Sequence, residues 1–245
     1  MTLNEGLLNH IFSDPAKLTE NSGAALITWG CVFLVLFTSY LLGSINSAVL
    51  FSRLIYKDDI RKHGSGNGGM TNMLRTFGGK AALLTLAGDL GKTAVSIFIA
   101  GFTFGFRYGA GMSTSGFCYI AGLFAVLGHV FPLYYKFKGG KGVLVTSTMA
   151  LILTPLPFLI LFCVFAAIFA ASHFVSLGSV SVAMLYPVVL SGYYLVAFER
   201  PLEPEIAIAT IALACLIVWC HRENLQRISE GKEKKTYLKK SNKTK

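Results

Sequence analysis

The fold is decided by residues 143–172, which read VLVTSTMALILTPLPFLILFCVFAAIFAAS and contain no charged side chain. A helix that crosses a bilayer needs about 20 consecutive apolar residues, so this stretch is too long for one untilted helix. Pro155 and Pro157 interrupt it near its middle, and a proline removes a backbone donor and clashes with the preceding helical turn. We therefore predict two shorter membrane segments, over 143–154 and 156–172.

The rest of the 245-residue chain repeats this apolar pattern. Further apolar runs lie at 27–50, 81–106, 115–135, 178–198 and 204–221. Only 14% of the residues are charged and the mean hydropathy is +0.60, whereas soluble domains carry about 25% charged residues. The sequence thus predicts an all-α, polytopic integral membrane helix bundle with about seven membrane segments. The five cysteines lie in or at the end of apolar runs without any CxxC pair, so we expect no metal site.

Basic residues indicate the orientation of the bundle and its organisation. Eighteen of the 22 Lys and Arg residues lie in the loops 51–80 and 136–142 and in the tail from Arg222, and three lie on the opposite side. The positive-inside rule then predicts an N-terminus outside and a C-terminus in the cytoplasm. We expect a polar N-terminal lead-in over 1–26, a membrane-embedded domain over 27–221 and a basic cytoplasmic tail over 222–245. The net charge of +10 then reflects topology and anionic lipid rather than a nucleic-acid partner.

The loop between the first two apolar runs has the composition of a phosphate-binding loop. It reads DIRKHGSGNGGMTNMLR from Asp59 to Arg75. Glycines let backbone N–H groups approach an anion, small polar side chains add neutral donors, and arginine binds phosphate oxygens in a fork. The candidate phosphate-binding residues are Arg61, Gly64, Ser65, Gly66, Asn67, Thr71, Asn72 and Arg75. The alternative is a flexible turn at the membrane surface. The embedded GxGxxG spacing follows no strand and does not indicate a dinucleotide fold.

A second glycine loop follows the run 115–135. It reads FKGGKG over 137–142, after Gly128-His129-Val130-Phe131-Pro132. The spacing and the missing Ser or Thr after the lysine exclude a P-loop NTPase. A short glycine loop that opens into a helix can still bind an anion at the helix N-terminus. The candidates are His129, Lys138, Gly139, Gly140, Lys141 and Gly142, although His129 also fits a helix-end histidine bonded to a carbonyl.

Three further groups of polar residues are weaker candidates. Ser176 and Ser179 lie near a helix start, where hydroxyls also act as N-caps. The last apolar run is followed by His221, Asn224 and Glu233. Asp89 and Lys92 are three residues apart within a span, so they can pair on one helix face. Ionisable residues inside a membrane are functional candidates, and a structural ion pair is the alternative.

Three motifs taken together resemble the PlsY-type bacterial acyl-phosphate:glycerol-3-phosphate acyltransferases. They are GSGNGGMTNMLR over 64–75, GHVFP over 128–132 with FKGGKG, and His221-x-x-Asn224 with Gly231-x-Glu233. The resemblance runs from about Leu42 to Glu233, with Asn46 where the family has proline and Thr93 where it has glycine. It implies a seven-helix enzyme that moves a fatty acyl group from acyl phosphate to the 1-position of sn-glycerol 3-phosphate. The products would be lysophosphatidic acid and phosphate, in the first step of phospholipid biosynthesis.

The resemblance also implies roles for the candidate residues. Ser65, Arg75, Lys141, His221 and Asn224 would be catalytic, Glu233 would be structural, and the remaining candidates would bind substrate or phosphate. No cofactor is implied, and no general base is identified, so the donor phosphate would accept the proton.

The implied setting is a bacterial cell membrane, with the active site facing the cytoplasm and a functional link to an enzyme that generates acyl phosphate. Two alternatives stay open from the sequence. One is a multi-pass transporter of a phosphorylated solute. This alternative is supported by the Asp89/Lys92 pair and by the helices that prolines interrupt. The other is a related transferase with a different acyl donor.

Overall fold

The structure is a computed structural model that describes residues 22–105 and 116–236 together with Leu7. Every regular element in this part of the chain is helical, which confirms the all-α prediction. The helices are α1 (Ser22–Ser44), α2 (Ser47–Tyr56), α3 (Met70–Phe77), α4 (Gly79–Phe104), α5 (Gly116–Val130), α6 (Val143–Leu153), α7 (Pro155–Ser172), α8 (Val175–Phe198), α9 (Pro204–Cys220) and α10 (Arg222–Ser229). Short 3₁₀ turns cover Ile60–Lys62 and Leu133–Tyr135.

The helix lengths agree with a membrane protein. Five helices are long and apolar enough to cross a bilayer: α1, α4, α5 with the turn that follows it, α7 and α8. A sixth span results if α9 and α10, which meet at a bend of 52°, count as one. The predicted break at the two prolines is confirmed, since α6 ends at Leu153 and α7 begins at Pro155. With 11 residues, α6 is about 16 Å long, so a count of seven full spans stays a prediction.

The first apolar run is not the continuous segment that we predicted over 27–50. Helix α1 begins earlier, at Ser22, and ends at Ser44, and a new helix starts at Ser47. Asn46 causes the break because its Oδ1 accepts a hydrogen bond from the Val49 N–H at 2.9 Å and caps α2. Its Nδ2 donates to the Gly68 carbonyl at 3.1 Å. The break therefore ties the start of α2 to the first glycine loop. The rest of the predicted lead-in, over 1–21, lies outside the described residues apart from Leu7.

Helix α5 forms the centre of the bundle. It packs against α1, α4, α6 and α9, and its Cys118, Tyr119 and Ala125 are fully buried. The approach of α1 to α5 is close, since a Cβ at Gly43 or Gly128 would overlap a backbone carbonyl of the other helix. Small residues at such crossings are typical of membrane helix pairs.

The polar connections gather at one end of the bundle. Arg61 Nη1 donates to the Tyr135 carbonyl at 3.2 Å, Lys141 Nζ donates to Asn224 Oδ1, and the Thr236 N–H donates to the His173 carbonyl at 2.9 Å. These contacts join the segments 57–69, 131–142, 173–175 and 221–236. The described part of the predicted tail, 222–236, is thus folded against this end. Because 11 of the 16 described Lys and Arg residues lie in these segments, they share one end of the bundle, while the side of the membrane that this end faces stays a prediction.

Candidate active site

A cavity of about 400 Å³ lies where the two glycine loops meet the helices α6, α7 and α8. Its polar lining comes from Asn67, Gly69, Thr71, Asp89, His129, Lys141, Gly142, Thr146, Ser147, Ser179 and His221. Its apolar lining comes from side chains one helical turn apart, namely Phe158, Leu161, Phe162 and Phe165 of α7 with Val182, Ala183 and Tyr186 of α8. We call the two parts the polar compartment and the apolar slot. A single cavity with these two parts suits an amphiphile with a charged head.

The shape of the first glycine loop depends on Asn72, whose side chain is 2% exposed. Its Nδ2 donates to the carbonyls of Ile60, His63 and Asn67 at 3.0 to 3.2 Å, and its Oδ1 accepts from the Ser65 N–H at 3.2 Å. Gly64 has a φ of +58°, and a Cβ there would overlap Asn72 Oδ1. The structure thus places Asn72 in the scaffold of the loop, where all its hydrogen-bonding groups are used.

Two helix N-termini line the polar compartment. Helix α3 begins after Gly69, and α6 begins after Gly142, whose φ is +79°. Gly69, Met70, Gly142 and Val143 all line the cavity. The first N–H groups of a helix have no acceptor within the helix and carry part of its positive dipole. The polar compartment therefore attracts anions even before its charged side chains are counted.

Lys141 is held by a chain of polar side chains from the C-terminal segment. Its Nζ donates to Asn224 Oδ1, and Asn224 Nδ2 donates to Glu233 Oε1 at 2.6 Å. Arg227 Nε donates to Glu233 Oε2 at 2.8 Å, and Ser176 Oγ donates to Oε1 at 3.3 Å. Burial lowers the pKa of Lys141, and the nearby Arg227 cation lowers it further. Burial opposes ionisation of Glu233, but hydrogen bonds from Arg227 and Asn224 outweigh it and lower its pKa. Glu233 thus connects α8 and α10 to the lysine of the second loop.

Two other cavity residues have free hydrogen-bonding capacity. The His221 Nδ1 lies 2.7 Å from the Ile217 carbonyl. Since a carbonyl only accepts, we assign the ring proton to Nδ1, which leaves Nε2 as an acceptor. The Thr146 Oγ1 is buried and has no hydrogen-bond partner among the described residues. Thr146 also lines the cavity, and it was not among the predicted residues because a threonine in an apolar run carries no distinguishing signal.

A buried ion network lies beneath both glycine loops. Lys92 Nζ is 2.9 Å from Asp89 Oδ1 and 3.0 Å from His129 Nδ1, which confirms the predicted Asp89/Lys92 pair. Ser47 Oγ donates to Asp89 Oδ1 at 2.9 Å. A Cβ at Gly140 would overlap the His129 ring, so the second loop rests directly on this network. Both Asp89 and His129 line the cavity.

The remaining candidates lie outside the cavity lining. Arg75 donates through Nη2 to Thr236 Oγ1, and Ser65 is exposed on the first loop. Ser176 contacts Glu233, and Gly140 lies on the His129 ring. The other four, Arg61, Gly66, Lys138 and Gly139, line a second cavity on the far side of the loops.

Comparison with known proteins gives one consistent family. A family model described as glycerol-3-phosphate acyltransferase matches residues 33–231. A glycerol-3-phosphate acyltransferase of Pseudomonas fluorescens is 41% identical over 196 residues, which cover 80% of this chain and 95% of the relative. One of Syntrophomonas wolfei is 39% identical over 198 residues, which cover 80% and 92%.

Solved structures agree with this family. The glycerol 3-phosphate form of PlsY, an integral membrane glycerol 3-phosphate acyltransferase, matches with a TM-score of 0.73 at 30% identity. The match covers 84% of this chain and 96% of that one. Its lysophosphatidic acid form matches with a TM-score of 0.70 at 29% identity.

Proposed function

The chain belongs to the PlsY-type glycerol-3-phosphate acyltransferase family, and from this premise we propose that acyl phosphate is its donor. The fatty acyl group is transferred to the 1-hydroxyl of sn-glycerol 3-phosphate, which gives lysophosphatidic acid and inorganic phosphate. The observation that carries this proposal is the single cavity with a polar compartment and an apolar slot. Membership of an acyltransferase family also argues against the transporter alternative.

The apolar slot suits the fatty chain of the donor. It runs between α6, α7 and α8 and is lined by aromatic and aliphatic side chains such as Leu161 and Phe165. Its member Phe162 is 54% exposed on α7, a helix whose only buried residues are Pro157 and Leu161. This exposed side supports entry of an acyl chain from the bilayer, where such chains are most soluble.

The polar compartment suits the two phosphate groups. Bringing two anions together is costly in water-poor surroundings, and prearranged N–H groups and cations offset that cost. Lys141 and the N-termini of α3 and α6 supply this charge, while Asn67 and Thr71 supply neutral hydrogen-bonding groups. Arg75 follows Thr71 by four residues and so lies on the same face of α3. We assign Arg75, with Ser65, to the rim of the phosphate site.

The chemistry needs no covalent enzyme intermediate because an acyl phosphate is a mixed anhydride with a good leaving group. The 1-hydroxyl oxygen bonds to the acyl carbon, the bond from that carbon to the phosphate oxygen breaks, and the hydroxyl proton passes to the departing phosphate. His221 Nε2 accepts a hydrogen bond from the neighbouring 2-hydroxyl of glycerol 3-phosphate and so orients the 1-hydroxyl, and Thr146 Oγ1 donates one to the acyl carbonyl. The protein supplies position and charge, which account for large rate effects.

The donor is tested with purified full-length protein in lipid nanodiscs and labelled glycerol 3-phosphate. We expect labelled lysophosphatidic acid with palmitoyl phosphate and none with palmitoyl-CoA or the palmitoyl thioester of a carrier protein. Lys141→Gln should abolish the product, and Lys80→Gln, at an exposed lysine outside the cavity, should leave it unchanged. Product from a thioester alone would overturn the acyl-phosphate assignment, and no product from any donor would overturn the function.

The enzyme's setting is also part of the proposal. We place it in a bacterial cell membrane with the basic end of the bundle in the cytoplasm, where an enzyme that generates acyl phosphate supplies the donor. A fluorescent protein fused after Lys245 should fluoresce, and alkaline phosphatase fused there should be inactive. The reverse pair of results would contradict this orientation.

A further inference from the structure

The second cavity, of about 650 Å³, is strongly basic. Five cationic side chains line it: Arg53, Arg61, Lys62, Lys136 and Lys138. Gly66 and Gly139 form part of its wall, and their neighbours Asn67 and Lys141 line the active-site cavity. The basic cavity therefore lies against the backs of both glycine loops and is separate from the site of acyl transfer.

The charge of the basic cavity is only partly balanced within the described residues. Asp59 is the one acidic residue in its lining. Its Oδ2 accepts from Arg53 Nη2 and from Arg61 Nη2, both at 2.8 Å. The Arg61 hydrogen bonds keep the pKa of Asp59 well below its usual range, so the carboxylate stays ionised. No described carboxylate lies within 4 Å of the ammonium groups of the three lysines. The cavity thus has cationic groups to spare for an anion.

Exposed apolar side chains neighbour the cavity residues along the chain, and one of them, Tyr134, lines the basic cavity. On α2, Leu54 and Ile55 follow Arg53 and are more than half exposed. On the second loop, Tyr134 and Phe137 flank Lys136 and are also more than half exposed. Exposed aromatic and basic side chains in alternation are typical of the membrane–water interface. These neighbours indicate that the cavity lies near the membrane–water interface, within reach of lipid headgroups.

We propose that the basic cavity binds the phosphate-bearing headgroup of an anionic membrane lipid, with the acyl chains against the exposed apolar side chains of α2 and the second loop. A phosphodiester can accept hydrogen bonds from the ammonium groups of Lys62, Lys136 and Lys138. The Arg61 guanidinium, by contrast, is largely engaged by Asp59 and by the carbonyls of Tyr135 and Lys138. A lipid with a quaternary amine in its headgroup is disfavoured, because that cation would add to the existing positive charge. A soluble phosphate shares the headgroup chemistry, but it would leave the apolar rim unused.

The test is native mass spectrometry of the full-length protein with three probes: phosphatidylglycerol, phosphatidylcholine and inorganic phosphate. The double variant Lys62→Gln/Lys136→Gln removes two exposed lysines of the cavity, and Lys80→Gln/Lys232→Gln removes the same charge from exposed positions elsewhere. Each basic residue near an anionic lipid contributes a severalfold gain in affinity. We expect phosphatidylglycerol to bind the cavity variant at least tenfold more weakly than the wild type, and the control variant to match the wild type.

Activity in phosphatidylcholine nanodiscs checks the fold of the cavity variant, and it should equal that of the wild type. Equal retention of phosphatidylglycerol by the wild type and the cavity variant would overturn the proposal, as would equal retention of the two lipids by the wild type. Binding of inorganic phosphate that is lost in the cavity variant, without retention of phosphatidylglycerol, would assign the cavity to a soluble anion and overturn the lipid assignment.

Discussion

Replacing Gly64 by alanine tests whether the shape of the first glycine loop controls acyl transfer. Gly64 has a φ of +58°, and an added Cβ would overlap Asn72 Oδ1. That oxygen accepts the Ser65 N–H, and the same amide group donates to three carbonyls of the loop. The substitution therefore imposes an unfavourable backbone conformation and displaces the side chain that organises the loop.

The magnitude follows from these two effects. An alanine in the left-handed region costs about 1–2 kcal/mol. Loss of one hydrogen bond to the buried Asn72 amide costs about 1–2 kcal/mol more. Since about 1.4 kcal/mol corresponds to a factor of ten, the equilibrium constant between the active shape of the loop and its alternatives should fall about 30-fold to 1,000-fold. We expect kcat/KM for glycerol 3-phosphate to fall by a similar factor, because Asn67, Gly69 and Thr71 of this segment line the cavity.

The assay is acyl transfer from palmitoyl phosphate to labelled glycerol 3-phosphate by the purified variant, with its thermal unfolding measured beside it. Gly79→Ala is the matched control, since Gly79 begins α4 and nothing lies within 4 Å of an added Cβ there. The control should stay within about twofold of the wild type, because no contact or hydrogen bond is lost. If Gly64→Ala kept the kcat/KM of Gly79→Ala while both proteins were folded, acyl transfer would not depend on the loop shape that Gly64 and Asn72 hold.

Three further predictions concern other parts of the site. Burial lowers the pKa of Lys141, so kcat/KM should begin to fall at a pH below about 10.4, the pKa of an ordinary lysine. In Lys141→Arg this alkaline fall in kcat/KM should disappear. Its persistence would contradict the assignment of Lys141 to the phosphate site. Glu233→Gln should lower the unfolding temperature at pH 7, where the lowered pKa of Glu233 keeps the carboxylate ionised. The difference in unfolding temperature from the wild type should shrink as the pH falls below about 4. Glu230→Gln, on an exposed ion pair, is the control and should change the unfolding temperature little. Ser147→Phe should shorten the preferred acyl chain because Ser147 lines the cavity, whereas Val188→Phe, on an exposed position of α8, should not. Competition between acyl phosphates of different length measures the chain-length preference of both variants. The same preference in both variants would mean that the acyl chain binds elsewhere.

Much of the fold could be predicted because a lipid bilayer permits few backbone structures. A chain in hydrocarbon must satisfy its backbone groups internally, so each long apolar run becomes a helix. The break at Pro155 followed from the missing backbone donor and was confirmed. The break before Ser47 could not be predicted, since Asn46 holds it through a bond to Gly68, 22 residues away.

The site could be predicted as two loops but not as two cavities. Glycines, small donors and cations in short segments indicated anion binding, and both loops do line one cavity. Sequence spacing could not show that Arg61 and Lys138 lie on the far side of these loops. Lys136 and Phe137 both have positive φ values, of 55° and 57°. This sharp turn immediately precedes Lys138, which lies three residues before Lys141. The two residues of the turn are not glycines, so the sequence gives no sign of it.

The buried Asp89–Lys92–His129 network is better explained as support for the loops than as a transport site. Burying charged groups costs free energy unless each of their hydrogen-bonding groups has a partner. The three N–H groups of Lys92 have four acceptors within reach: Asp89 Oδ1, His129 Nδ1 and the carbonyls of Gly43 and Ile45. A lysine that bound a transported solute would need at least one N–H group without a partner in the protein. Here every position is taken by the end of α1, by α4 or by the end of α5, beneath the two loops. The sequence placed this pair in a membrane segment and left two interpretations open; its partners in the structure favour the structural one.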